Sequence, residues 1–170
     1  MTASTSKTAV YTGSFDPVTL GHVNIIERSS SLFDELIIGI GVNSEKRSLF
    51  SLDERVSFLE QVTANLTNVR IETFAGLAVE FVHRCHARIM VRGVRPLTDI
   101  SAEFTMMMAN HHLAPEIETV FLMADEELAH VSSSLIKQIA PLSDNQMLAK
   151  FVPAAIIPDL RKRLSESIPT

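Results

Sequence analysis

Short apolar runs along the chain alternate with longer segments in which apolar residues recur every three or four positions, and this alternation predicts the elements. Ala9–Tyr11 is a brief strand ending at Gly13, and Gly21–Phe33, with Val23, Ile26 and Phe33 among polar residues, is an amphipathic helix. Glu35–Val42 is a continuous apolar run interrupted only by Gly39 and Gly41, the pattern of a strand buried on both faces. Asn43–Phe50 is a polar, basic loop. Ser51-Leu-Asp-Glu54 then forms a capping box, in which the serine accepts from first-turn amides and the glutamate reaches back to the cap. Its helix continues through Val56, Leu59 and Val62.

Val69–Phe74 is the third strand, followed by a helix over Leu77–His86 with Leu77, Phe81 and Cys85 on one face. Arg88–Arg92 is the fourth strand, ending at Gly93; Glu103–Leu113 is a helix and Glu118–Met123 the fifth strand. Ser132–Ala140 opens another helix, and a last, partly amphipathic one follows Pro153. Strict alternation of strand and helix predicts an α/β fold. It is a single-domain, doubly wound, Rossmann-like five-stranded parallel sheet with right-handed crossovers and C-terminal helices. With strand order 3-2-1-4-5, the ligand crevice lies between the first and fourth strands, beyond their carboxyl ends. The loops Gly13–His22 and Gly93–Thr98 then face one another.

Composition narrows the function. At 170 residues, 46% hydrophobic and 21% charged, the chain is expected to form one globular domain over 1–170, with residues 1–7 as a disordered lead. A formal charge of −5 disfavours nucleic acid and anionic membranes as partners, so any anionic ligand needs a local basic cluster. Cys85 stands alone, no run approaches the ~20 apolar residues of a membrane span, and the lead has no apolar signal core; a cytoplasmic location is expected.

Four motifs carry chemistry. In Gly13-Ser-Phe-Asp-Pro-Val-Thr-Leu-Gly-His22, Gly13 permits a sharp turn, Asp16-Pro17 stiffens it, and Gly21-His22 opens a helix whose amides and dipole suit phosphate. In Val91-Arg-Gly-Val-Arg95 two arginines flank a strand end, where the guanidinium fork matches phosphate oxygens. Asn43-Ser-Glu-Lys-Arg47 gains weight from lying at the same end of the sheet. Val131-Ser-Ser-Ser134 offers hydroxyls and amides at a helix start, although Ser132 also reads as a plain N-cap.

Other features carry bland readings. Cys85 is expected in the core rather than as a nucleophile. His83 and His86 share a helix face but lack a second ligand pair, and His111 and His112 diverge, so no metal site is expected. Met106–Met108 suits packing or an oligomer contact.

Together the motifs resemble the phosphopantetheine adenylyltransferase family, within the wider Thr/His-x-Gly-His nucleotidylyltransferases. The likeness runs nearly the whole chain, through Tyr11-x-Gly-Ser-Phe-Asp-Pro, Gly21-His22, Lys46, Phe50-Ser-Leu-Asp-Glu-Arg55, Gly76-Leu77, Arg92-Gly-x-Arg95, Asp99, Glu103, Phe121-Leu-Met123 and Ser132-Ser-Ser134. Ser14 stands where the family more often has threonine, and Ala102, Leu128 and His130 also depart from its usual residues. The resemblance implies transfer of the adenylyl group of ATP to 4′-phosphopantetheine, giving dephospho-coenzyme A and pyrophosphate by direct in-line attack with no covalent intermediate. It implies His22 as transition-state stabiliser, with Lys46 and Arg95 assisting. Ser14, Phe15, His22, Gly93, Val94, Arg95, Glu103 and the stretch Leu128, Ala129, His130, Val131, Ser132, Ser133 and Ser134 would bind ATP. Ser14, Lys46, Ala78 and Arg92 would bind the acceptor. It further implies a homohexamer and Mg²⁺, arriving mainly with ATP, since the sequence shows no compact carboxylate cluster. Two alternatives stay open: a sister enzyme nucleotidylating another phosphorylated acceptor, and a non-catalytic nucleotide-binding module.

Overall fold

The computed structural model describes residues 7–42, 47–94 and 100–166. Its strands are β1 (Thr8–Gly13), β2 (Glu35–Val42), β3 (Val69–Ala75), β4 (Ile89–Val94) and β5 (Glu118–Met123). Between and after them run α1 (Leu20–Leu32), α2 (Leu52–Thr63), α3 (Ala78–Arg84), α4 (Ile100–Leu113), α5 (Ser133–Ile139), α6 (Asn145–Leu148) and α7 (Ile157–Glu166). The strands form one parallel sheet in the order β3-β2-β1-β4-β5, as the alternation predicts.

The two-residue period of the strands divides the core into two layers. Ala9, Tyr11, Leu36, Ile38, Ile40 and Val91 face a layer built with α1, α2 and the C-terminal helices. Their neighbours Val10, Ile37 and Met90 face the opposite layer, with Val79, Phe81 and Val82 of α3 and with Ala114 and Ile117 beyond α4. Because the central strands are covered on both sides, their apolar runs are continuous rather than alternating. At Gly39 the second layer closes hard on the sheet: a Cβ there would sit 2.3 Å from the Phe81 ring, which stacks on Phe74 at 4.5 Å.

Several boundaries differ from the predicted ones. β4 does not stop before Gly93 but continues through Val94, so Arg92 lies inside a strand. Its guanidinium is accommodated there because Thr12, on the adjacent β1, accepts hydrogen bonds from it. α3 is shorter than Leu77–His86: Leu77 precedes the helix and is exposed, while His86, past its end, takes a left-handed φ of 53°. His83 and His86 therefore do not share a helix face; His83 pairs with Glu116 at 2.5 Å. α4 begins at Ile100, earlier than Glu103, and the short helix α6 is an addition. Met106 and Met108 are exposed, so packing within this chain does not account for them. Of the expected disordered lead, Lys7 is tied down, its backbone N–H donating to Asp34 at 2.8 Å; residues 1–6 lie outside the described residues.

Candidate active site

The first-strand turn is held from three directions. Phe15 has a φ of 48°, uncommon for a bulky residue. Its ring folds back over Gly13, where a Cβ would come within 2.9 Å of it. The ring makes edge contacts with Tyr11 at 5.4 Å and with His22 at 5.1 Å, so Phe15 is a buried support behind the imidazole. Asp16, which precedes a cis proline, accepts from the backbone N–H groups of Leu49 and Phe50, each at 2.8 Å, and from Lys137 of α5 at 2.6 Å. Buried Arg55 of α2 donates to the carbonyl of Ser14 at 3.0 Å.

His22 occupies the first turn of α1 and closes a capping box with Thr19. The Thr19 hydroxyl accepts from the His22 amide at 3.3 Å, and the Thr19 N–H donates to His22 Nδ1 at 3.0 Å. An Nδ1 that accepts a hydrogen bond leaves the ring proton on Nε2. The same helix start turns its positive dipole end to the cavity, although the Leu20 amide donates to the Phe151 carbonyl at 2.8 Å and the His22 amide to Thr19.

The cavity has a volume of about 290 Å³ and opens between the carboxyl ends of β1 and β4, at the switch point of the sheet. It collects Ser14, His22, Arg92, Gly93, Val94, Glu103, Leu128, Val131, Ser132, Ser133 and Ser134 on its walls. Phe15, Ala78, Ala129 and His130 are not on these walls; His130 makes an edge contact with Phe151 at 5.8 Å. Lys46 and Arg95 lie outside the described residues.

Two serines of the triple-serine motif have structural bonds as well. Ser132 caps α5 by accepting from the Leu135 amide at 3.1 Å, and Ser133 donates to the carbonyl of Pro17 at 2.8 Å. Ser134 is exposed on the cavity wall. Arg92 is bound to Glu103 through two hydrogen bonds of 2.8 and 2.7 Å. Beside this pair, burial pushes the Tyr11 hydroxyl pKa well above its ordinary value, with Arg92 lowering it and Glu103 raising it, so the phenol stays protonated. Among the described residues, no group of three His, Cys, Asp or Glu side chains could hold a metal ion.

Sequence reasoning did not reach Tyr11, Thr12 or Thr19 as cavity residues, nor Arg55 and Lys137 as supports. The Thr19–His22 box was readable in principle, since the two stand at cap and third helical position, but histidine in place of Glu or Gln hides the pattern. Asp16 and Lys137 are 121 residues apart and carry no local signal.

What the cavity offers is a set of donors for anions: helix-start amides, an imidazole N–H, serine hydroxyls on one wall and a guanidinium on the other.

Comparisons agree with that character. Residues 10–139 match the cytidylyltransferase-like family model. The nicotinic acid mononucleotide adenylyltransferase of Plasmodium falciparum has a similar fold, with a TM-score of 0.61 over 93% of this chain and 96% of that one, at 12% identity. A phosphopantetheine adenylyltransferase of Clostridium botulinum is 43% identical over 94% of this chain and 96% of its own length. That of Rhodopirellula baltica is 64% identical over 92% of this chain and 88% of its own. Identity at that level spans both strand ends that form the cavity, and the chain belongs to the phosphopantetheine adenylyltransferase family.

Proposed function

We propose that the chain transfers the adenylyl group of ATP to 4′-phosphopantetheine, giving dephospho-coenzyme A and pyrophosphate in the penultimate step of coenzyme A synthesis. The observation that carries this reading is the pairing across one cavity of His22 at the start of α1 with Arg92 near the end of β4, in a chain 64% identical to a phosphopantetheine adenylyltransferase.

The chemistry asks little beyond placement and charge. The acceptor is a phosphate monoester with a second pKa of about 6, so at neutral pH it is already a nucleophile and needs no base. One of its oxygens bonds to the α-phosphorus of ATP as the bond to the pyrophosphate oxygen breaks, and pyrophosphate leaves in line. The protein holds the two anions in register and stabilises charge on the transferring group. His22 donates from Nε2–H to an α-phosphate oxygen, with the positive dipole end of α1 behind it; the Thr19 N–H bond to Nδ1 supports that tautomer. Ser14 and the serine wall receive the nucleotide; Arg92 and Lys46 position the acceptor phosphate, and Arg95 neutralises charge on the ATP side.

The described cavity residues do not fit a resident Mg²⁺. They include a single carboxylate, Glu103, and that is bound to Arg92. Mg²⁺ enters this proposal as part of the MgATP substrate, and no step here is routed through it.

Phe104, Met106, Met108 and Leu113 of α4 are exposed, an apolar surface that supports assembly into a homo-oligomer, a hexamer on the family resemblance. No described helix is long and apolar enough to cross a membrane. A cytoplasmic location belongs to the same proposal.

The test is direct. Protein incubated with ATP, Mg²⁺ and 4′-phosphopantetheine should release pyrophosphate and dephospho-coenzyme A in equal amounts. Product with another phosphorylated acceptor but none with this one would overturn the acceptor assignment, and ATP binding without turnover on any acceptor would leave only a nucleotide-binding module.

A further inference from the structure

A guanidinium has five N–H donors, and in Arg92 most of them are committed. Nε donates to one carboxylate oxygen of Glu103 at 2.8 Å and Nη2 to the other at 2.7 Å. Nη1 reaches the Thr12 carbonyl at 3.1 Å and the Thr12 hydroxyl at 3.2 Å. One donor on Nε, one on Nη2 and two on Nη1 make four of the five, leaving a single Nη2 hydrogen for a ligand. Phosphate is gripped best by two parallel N–H groups of the fork. Here the Nε–Nη2 edge is closed by Glu103, and the other edge is held on its Nη1 side by Thr12.

Resting on the proposed function, in which Arg92 receives the acceptor phosphate, we infer that Glu103 is a resident competitor for that phosphate and that acceptor binding exchanges the carboxylate for the phosphate on the Nε–Nη2 edge. Three features make the exchange feasible. Thr12 keeps its hold on Nη1, so the guanidinium stays in place while its partner changes. Both side chains of the pair keep about a fifth to a quarter of their surface exposed, at 26% for Arg92 and 21% for Glu103, so the released carboxylate can rehydrate. Glu103 also belongs to the first turn of α4, where the helix dipole favours its negative charge with or without Arg92.

The consequence is an affinity for the phosphate held below what Arg92 alone would give. A phosphate dianion attracts Arg92 about twice as strongly as the carboxylate it displaces at equal distance. A neutral group gains nothing by competing. Glu103 thereby opposes only the phosphorylated acceptor, which must displace it, whereas unphosphorylated pantetheine leaves the Arg92–Glu103 pair closed and does not feel the competition.

Calorimetric titration of 4′-phosphopantetheine and of unphosphorylated pantetheine, without ATP, into wild type and Glu103→Gln tests this. The glutamine side chain is nearly isosteric with glutamate but cannot close the edge bidentately. The variant should bind 4′-phosphopantetheine roughly tenfold more tightly than wild type, with pantetheine unchanged; Glu103→Ala should show the same gain if its melting temperature matches. General damage to the site would weaken binding, so a gain confined to the phosphorylated ligand is specific to the competitor. Weaker or unchanged binding in Glu103→Gln, or an equal gain with pantetheine, would overturn the inference while leaving the function intact. A wild type that bound no 4′-phosphopantetheine would overturn the function first, and the inference with it.

Discussion

The backbone N–H of Thr19 donates to Nδ1 of His22 across 3.0 Å, so the catalytic candidate is held in one tautomer by its own helix cap. The cap and the ring nitrogen it orients thus lie within four consecutive residues, Thr19-Leu-Gly-His22. Phe15 adds the edge contact that keeps the ring upright.

His22→Ala removes the Nε2 donor while sparing the helix amides. Turnover should fall by roughly two to three orders of magnitude, the usual loss for one donor to a developing charge. ATP affinity, measured by calorimetry, should change far less. An equal loss in both would make His22 a ground-state ligand only. Thr19→Val deletes the side-chain cap but keeps the backbone donor to Nδ1; it should cost about 1 kcal/mol of stability and lower kcat modestly, and Thr19→Ser should restore both.

The Asp16 carboxylate, only 6% exposed, is shared by the turn before α1, the segment before α2 and α5. Asp16→Ala strands two backbone amides and Lys137 together. Urea denaturation should show a loss of about 3 kcal/mol, from breaking a buried hydrogen-bonded charge. Lys137→Met should cost less, because Lys137 is 37% exposed and water can replace part of the bond. Additive losses in the double variant would show that the two residues are uncoupled.

How far these features were visible in the sequence depends on their range. β2 was legible to the residue because no polar residue interrupts the run from Leu36 to Val42, and the Ser51–Glu54 box because its partners are three residues apart. The end of β4 was not, since a charged Arg92 looks like a strand terminus until Thr12 and Glu103 are brought beside it by the sheet. Leu77 looked like part of a helix face because apolar spacing cannot tell a buried leucine from an exposed one at the N-cap. The strand ends that form the cavity followed from the alternation of elements and the glycine and arginine motifs. Its supports, Asp16 with Lys137 and Arg55 with Ser14, are tertiary and had no local trace.

Gly39→Ala tests the closest approach in the second layer. The added methyl would lie 2.3 Å from Phe81 and 3.2 Å from Phe74, two rings already stacked. Overpacking of this kind costs about 1–3 kcal/mol, read as a lower urea midpoint at unchanged slope. Phe81→Leu in the same chain should recover part of the loss, whereas Phe81→Leu alone should destabilise.

Glu54 gives the acid limb of stability a definite sign. Burial alone would raise its pKa, but the Ser51 backbone N–H at 2.7 Å, the Ser51 hydroxyl and the Arg163 guanidinium together hold it below the ordinary 4.5. A carboxyl depressed on folding contributes stability that is complete above its unfolded pKa and lost as pH falls through the folded one. Glu54→Gln should therefore lower the melting temperature at pH 7 and show a smaller drop than wild type between neutral pH and pH values below 4.5. Parallel curves for the two proteins would mean that the carboxylate has no net preference for the folded state.

The exposed face of α4 bears on assembly. Phe104 and Met108 stand one helical turn apart, and both are more than half exposed, which two large apolar side chains on one face tolerate poorly without a partner. Met108→Glu puts a charge in the middle of that face and leaves the internal core untouched, since Met108 is absent from both buried clusters. If α4 is an interface between copies, sedimentation velocity at micromolar concentration should show wild type as an oligomer and the variant shifted to a smaller species, with the monomer fold retained by circular dichroism. An unchanged sedimentation coefficient would place the interface elsewhere. Turnover adds a second reading, because α4 also carries Glu103, the partner of Arg92. A dissociated variant with altered acceptor affinity would mean that the interface fixes α4, and through it the Arg92–Glu103 pair.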